Sequence, residues 1–304
     1  MFLIILLYAI LASTFIFAKE ALQYAQPCFL IAFRMILAGT ILLGYQWVMH
    51  RKDFVFKRED YGLFIKVGFF HIFLAFVPEF WALQYVSALK TTIIYSSTPF
   101  IAALLAYFLL SERLSSRKFL GIAIGLGGLT PVLMSQLSDH VSGQSGQIVS
   151  DIAHVSLAEI VLFFAVASSA YAWFLVKKLM HKGYNLGTIN GVAMFIGGIM
   201  SLITASIFEG FSAPVSNWHM FLFWVGLLII TANIVVYNFY GFLLKRYSIT
   251  FLSFAGFLCP CFGTLYDWLF MGGHVTSSYF ISLGLITLGL YIFYRDELSQ
   301  VSSS

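Results

Sequence analysis

Residues 91–110 read TTIIYSSTPFIAALLAYFLL, and residues 250–271 read TFLSFAGFLCPCFGTLYDWLFM. The first carries no charge and the second a single one, and in neither do polar and apolar residues alternate as they would in a barrel strand. A lipid-spanning helix needs roughly 20 mostly apolar residues, and only a helix or a closed barrel satisfies its backbone inside lipid. Both stretches therefore read as transmembrane helices, each with a proline in its interior, Pro99 and Pro260.

The rest of the chain repeats the pattern. Of 304 residues, 60% are hydrophobic and 10% charged, 33 are phenylalanine, and the mean hydropathy is +0.90. A soluble globule of this length cannot hide so much apolar surface, so the solvent is the lipid bilayer. Ten runs are expected to span it: Phe2 to Ala18, Cys28 to Met49, Tyr61 to Leu83, Thr91 to Leu110, Phe119 to Met134, Ser156 to Val176, Leu186 to Phe208, His219 to Leu244, Thr250 to Met271 and Ser277 to Tyr294. The gaps leave no room for a separate catalytic module. The first run has no basic residue before it, which argues against a cleaved signal peptide and for a retained helix.

Lysine and arginine collect in short cytoplasmic loops. With the N-terminus inside, the inner segments hold Arg51, Lys52, Lys57 and Arg58, then Arg113, Arg117 and Lys118, then Lys177, Lys178 and Lys182, then Lys245, Arg246 and Arg295. The outer loops hold Lys19 and Lys90, while Arg34 and Lys66 fall within helices. A multi-pass protein of a bacterial inner membrane with both termini cytoplasmic follows. This placement also accounts for the net charge of +4 without a nucleic-acid partner.

The polar stretch Ser135 to Val155 lies near the midpoint and has no lysine or arginine. It divides the chain into residues 1–135, an external linker 136–155, and residues 156–304. Five helices in each half means that two halves of like fold are inserted upside down relative to each other, the plan of many secondary transporters. One gapless offset places Leu83 on Leu244, Ser87 on Ser248, Pro99 on Pro260, Leu104 on Leu265, Phe119 on Phe280 and Gly128 on Gly289. The fold class is thus all-α and polytopic: ten helices as two inverted five-helix repeats. Pro99 and Pro260 would break helix geometry beside a central site, although each alone is also explained as a kink.

Three groups of residues carry the resemblance to a known family. The first helices read Ala12-Ser-Thr-Phe-Ile-Phe-Ala-Lys19, then Pro27, then Phe33-Arg34-Met-Ile-Leu-Ala38-Gly39. The fourth is preceded by Ala82-Leu-Gln-Tyr-Val-Ser87-Ala88, runs to Thr98-Pro99, and is followed by Ser111-Glu112-Arg113-Leu114-Ser115 and Gly121. This resembles the EamA-type branch of the drug/metabolite transporter superfamily, strongly over residues 1–135 and collinearly from Tyr240 onward. The resemblance implies two five-helix repeats, cytoplasmic termini, and alternating-access export or exchange of a small organic metabolite. Its cargoes range over amino acids, nucleotide-linked compounds, sulfonium metabolites such as S-adenosylmethionine, and drugs. The family's second loop glutamate is replaced by Gly273, which is expected to alter loop capping rather than transport.

Charges inside lipid are costly enough to be functional candidates. Lys66 lies close enough to its helix end to snorkel. Arg34 and Glu79 both lie toward the outer side and are placed to pair, either as a packing salt bridge or as a gate. Asp267, between Tyr266 and Trp268, is a candidate proton carrier or cation contact, with hydration at the interface as the plain alternative. His71 is a proton carrier or a hydrogen-bonded core histidine. Asn233, Tyr237 and Asn238, with Trp173 and Tyr171, suit a planar or amphipathic cargo, a cation held over rings among them, though interfacial aromatic belts use the same residues.

Cys28, Cys259 and Cys261 offer no second ligand pair, so neither a metal nor a disulfide is expected. No cofactor is expected either, and without a nucleotide-binding domain ATP is excluded as the energy source. The main reading is a secondary transporter, exporter or exchanger, and not an enzyme. A membrane-embedded enzyme lacks a convergent set of acid, base or metal ligands, and a channel or scaffold lacks a filter motif. The Gly121-Ile-Ala-Ile-Gly125 run points to close packing within one chain, and leaves monomer and homodimer open.

Overall fold

The computed structural model describes residues 2–51, 54, 56–86, 88–112, 114–141, 156–210, 215–266, 268–269 and 277–301. Asp267, Arg113, Gly273 and residues 142–155 lie outside them. The described residues form helices joined by short turns, with an isolated bridge between Ala25 and Val215. In chain order the helices are α1 (Phe2–Leu22), α2 (Pro27–Met49), α3 (Arg58–Ala82), α4 (Ile93–Leu110), α5 (Ser116–Val141), α6 (Leu157–His181), α7 (Leu186–Phe208), α8 (Trp218–Leu243), α9 (Ile249–Tyr266) and α10 (Ser277–Val301). Among the described residues, 8 are long and apolar enough to cross a membrane. The other two helices, α5 and α10, are 26 and 25 residues long.

Several ends differ from the expected ones. α1 continues past Lys19 and Glu20 to Leu22, α5 runs on to Val141 into the stretch expected as linker, and α10 continues past Tyr294. Hydropathy marks where a helix leaves lipid, whereas hydrogen bonding carries the helix further. The helix starts have clear causes. Asn185, Asn217 and Ser248 cap α7, α8 and α9 through their side chains. α2 opens on Pro27, which needs no hydrogen bond there.

The chain divides into two compact units that cut across its sequence halves. Residues 1–12, 85–163 and 247–304 form one, and residues 13–84 and 164–246 the other. In the first unit α5 lies against α10 through glycines, and the end of α10 ties down two helix starts. Lys118 pairs with Glu297 at 2.7 Å, Ser115 Oγ donates to Asp296 Oδ2 at 2.6 Å, and Ser248 N donates to Glu297 Oε1 at 2.7 Å. Lys90 pairs with Glu159 at 2.5 Å in the same unit. Tyr266 Oη donates to Ala9 O at 2.8 Å, joining α9 to α1.

In the second unit α2 packs on α7 around Leu30, Ile31, Met35, Ala38, Ile189 and Met194, all buried. Glu209, just past α7, accepts from Cys28 N at 2.7 Å and Phe29 N at 2.9 Å, so a carboxylate faces the positive end of α2. Glu209→Ala is expected to destabilise the protein by about 1–2 kcal/mol, and Glu209→Gln by about half of that. Thermal melting in detergent would check it; equal melting of all three proteins would show that the cap contributes nothing. Lys182 pairs with Asp60, whose Oδ2 accepts from Tyr184 Oη at 2.9 Å. The bond to Asp60 holds the Lys182 ammonium above its ordinary range.

Large apolar side chains are exposed on the described helices. Phe208 is 80% exposed and Phe108 71% exposed, positions tolerable only against lipid.

Candidate functional site

The second unit contains a cluster built on α2, α3, α6, α7 and α8. Its origin lies in two departures from α-helical geometry, a π-helical segment Gly68–Phe73 in α3 and another, Ile229–Val236, in α8. Widening a helix to i→i+5 bonding leaves carbonyls in need of other partners and turns the following side chains. Side chains supply some of those partners. Ser168 Oγ donates to Phe70 O at 2.8 Å, Thr231 Oγ1 to Leu227 O at 2.6 Å, and Asn238 Nδ2 to Ile234 O at 2.7 Å.

His71 sits within the first π segment, fully buried, and Tyr237 directly follows the second. Their rings meet at 5.0 Å, and the Trp173 ring lies 4.5 Å from His71, nearly perpendicular to it. Trp173 also stacks on Tyr240 at 4.1 Å and lies 5.9 Å from Tyr237. Neither ring nitrogen of His71 has a hydrogen-bond partner among the described residues, so the simple picture of a hydrogen-bonded core histidine does not hold.

Arg34, on α2, is 3% exposed. Its guanidinium lies over the Phe76 ring at 5.2 Å, and its charge is felt by Tyr237 and Glu79. Its Nε has no hydrogen-bond partner among the described residues. Glu79, the expected partner, is half-buried and interacts electrostatically with the Arg34 guanidinium.

Asn233 turns away from the rings. Its Nδ2 donates toward Met35 Sδ at 3.1 Å and Met194 Sδ at 3.7 Å, and its Oδ1 is unpaired. Asn238 Oδ1 accepts from Asn190 Nδ2 at 3.3 Å. Tyr171 packs on Phe70 at 5.1 Å, outside the His71 cage. Pro99 and Pro260 belong to the other unit. Each stands in the first turn of a helical segment that restarts after a turn, at Ser97 in α4 and at Gly256 and Phe257 in α9.

Sequence reading missed Tyr240, Phe76 and Asn190. Tyr240 had a signal, since it is three residues after Tyr237 and so on the same helix face. Beyond Glu79, at the end of the second unit, Gln23, Tyr24, Gln26, Phe80, Gln84 and Ser216 line part of a cavity of about 540 Å³, well within the size of ligand pockets.

Residues 1–134 and 156–295 match the EamA-like transporter family. The chain belongs to that family. It is therefore a transporter and a multi-pass membrane protein. It is 32% identical over 302 residues to the S-adenosylmethionine/S-adenosylhomocysteine transporter of Chlamydia muridarum (strain MoPn / Nigg), covering 98% of this chain and 92% of the relative. The protein of the same name from Chlamydia trachomatis serovar L2 is likewise 32% identical, over 98% of this chain and 90% of its own. A solved crystal structure superposes with a TM-score of 0.72 over 97% of this chain and 96% of the other at 17% identity, a likeness of fold alone.

Proposed function

We propose that this transporter exchanges S-adenosylmethionine for S-adenosylhomocysteine across the inner membrane of a bacterium, passing both unchanged and without ATP. The observation that carries the proposal is the similarity to relatives of that name over 98% of the chain. The cluster of Arg34, His71, Trp173 and Tyr237 supports it. The two cargoes differ by one methyl group and one positive charge, so a shared site must hold the parts they have in common and tolerate sulfur in two states. Aromatic faces do this: they attract a sulfonium as a cation and a thioether as a polarisable sulfur. Glu79, Asn233, Asn238 and Asp267 are secondary candidates for cargo contact or coupling.

The proposed architecture is ten helices in two inverted five-helix repeats, residues 1–135 and 156–304, joined by residues 136–155, with both termini cytoplasmic. Two features support it. The offset that places Pro99 on Pro260 also places Gly68 on Ile229, the first residues of the two π segments. The basic residues fall on alternate connections, as described above. On this scheme the breaks before Pro99 and Pro260 are corresponding hinges.

Charge fixes a direction. S-adenosylmethionine carries a net +1 and S-adenosylhomocysteine none, so inward exchange moves one positive charge per cycle. An inside-negative potential of about 100 mV would favour it by about 2.3 kcal/mol. Liposomes holding the protein and S-adenosylhomocysteine should take up labelled S-adenosylmethionine, and a valinomycin-imposed inside-negative potential should raise its accumulation by at least tenfold. Uptake that ignores both internal cargo and potential would refute electrogenic exchange.

A further inference from the structure

We infer that the cavity at the far end of α1 and α3 is an entry site that recognises the adenine base of the cargo through the carboxamides of Gln26 and Gln84, before the cargo moves inward. On the proposed topology this end faces the outside. The inference rests on the cargo reading above for its ligand and adds an outer site to it.

The walls come from three segments of the second unit. Residues 22–27 carry the chain from α1 into α2, Phe80 lies in the last turn of α3 with Leu83 and Gln84 just after it, and Ser216 precedes α8. Backbone bonds fix all three. Tyr24 N donates to Ala21 O at 3.1 Å, Leu83 N to Glu79 O at 2.9 Å, and Ser216 N to Tyr24 O at 2.9 Å, next to the bridge between Ala25 and Val215. The cavity of about 540 Å³ is thus preformed, and a ligand need not spend binding energy on ordering it.

The lining decides what fits. None of the described residues in the wall is charged, and Glu20, which is not part of it, already accepts from Gln23 Nε2 at 3.1 Å. A carboxylate, ammonium or phosphate would give up water there without meeting a countercharge in the wall, so neither the amino-acid end of the cargo nor a lipid headgroup is matched. Adenine is. It is uncharged and flat, and its N6 donor stands beside its N7 acceptor, the edge to which a glutamine carboxamide binds with both of its functions. Gln26 and Gln84 are exposed. Gln26 also stands at the N-cap position of α2 and makes no side-chain capping bond, so its carboxamide is not spent on the helix start. Tyr24 and Phe80 add ring surface on which a base can stack. The Phe80 ring lies 6.3 Å from Phe76, whose face carries Arg34, so the cavity ends beside the buried cluster.

The test is protection of a thiol placed in the wall. Leu83 lines the cavity and is exposed, so full-length Leu83→Cys in detergent should fold as the wild type does and react with a maleimide, the labelling of Cys28, Cys259 and Cys261 in the wild type being subtracted. Adenosine at ten times its Kd should slow that reaction about tenfold, as should S-adenosylhomocysteine, whereas methionine should not. Guanosine should need a concentration at least about fivefold higher than adenosine, the low end of discrimination by one paired base edge. Adding Gln26→Leu or Gln84→Leu should raise the adenosine concentration required by about three- to tenfold each, the effect of a lost hydrogen bond. Binding of labelled adenosine to the wild type and to Gln26→Leu repeats the comparison without the added thiol. Absence of protection by adenosine, equal protection by guanosine, or protection indifferent to both glutamines overturns the inference. S-adenosylhomocysteine that binds without protecting the thiol overturns the entry site and leaves the cargo reading standing; adenosine that protects where S-adenosylhomocysteine does not bind does the reverse.

Discussion

Gly289→Val is expected to leave the protein aggregated or unfolded in detergent, with a loss of at least about 3 kcal/mol, the upper end of what overpacking costs. A Cβ on Gly289 would stand 2.5 Å from Gly121 O and 2.9 Å from Gly125 N. Both are backbone atoms of α5, so no rotamer change relieves the clash. The only relief is to move α10 off α5, which opens the contacts of Gly128 with Leu285 and Ile286 along the same seam. Gly284 lies on the same helix with nothing within 4 Å of its would-be Cβ, so Gly284→Val is the control and should cost little beyond a helix-propensity change. The second unit has the same construction. A Cβ on Gly39 would lie 2.7 Å from Phe195 N and 2.8 Å from Gly191 O, whereas Gly44 is open. Gly39→Val should therefore fail as Gly289→Val does. Size-exclusion profiles and melting curves of the three variants decide the matter, and a Gly289→Val protein that melts with Gly284→Val would show that the close approach is unnecessary.

These seams were only partly legible in the sequence. Gly121 and Gly125 are spaced for close packing, and that spacing is visible to anyone reading along one helix. Their partner Gly289 is not, because the pairing of α5 with α10 is a property of the tertiary fold. The apolar runs of α2, α7 and α8 could be bounded to within a residue or two because lipid burial and helix formation end together there. Those of α1, α5 and α10 could not, since the helix outlasts the apolar run. The carboxylate of Glu209 at the start of α2 left no local trace either, because its contact closes over most of the chain.

The candidate site shows the same division. Arg34, His71, Glu79, Trp173 and Tyr237 announce themselves by being polar or ring-bearing within apolar runs. What they do together depends on the π segments, and a change from i→i+4 to i→i+5 bonding leaves hydropathy unchanged. Asn233 illustrates the consequence. It lies four residues before Tyr237, a spacing that in a regular helix would put both on one face, yet its side chain faces two methionines while Tyr237 faces His71.

Trp173→Ala is expected to weaken binding of both proposed cargoes by about a hundredfold, because one side chain supports three others. Its ring is stacked on Tyr240 and stands across the edge of His71. Truncation removes the largest aromatic face and one ring contact each from His71 and Tyr240, so the lost contact and the lost preorganisation add. Trp173→Phe separates the two effects. Phenylalanine restores an apolar ring but is a weaker cation acceptor than tryptophan. The charged cargo should therefore lose about three- to tenfold more affinity than the neutral one, shifting preference toward S-adenosylhomocysteine. Binding of both labelled compounds to the purified variants, alongside melting curves to exclude a folding defect, reads this directly. Equal weakening of the two by Trp173→Phe would mean that the sulfonium never meets this ring. The cage would then serve the base alone, and the charge carried in each exchange cycle would have to be accommodated by another part of the protein.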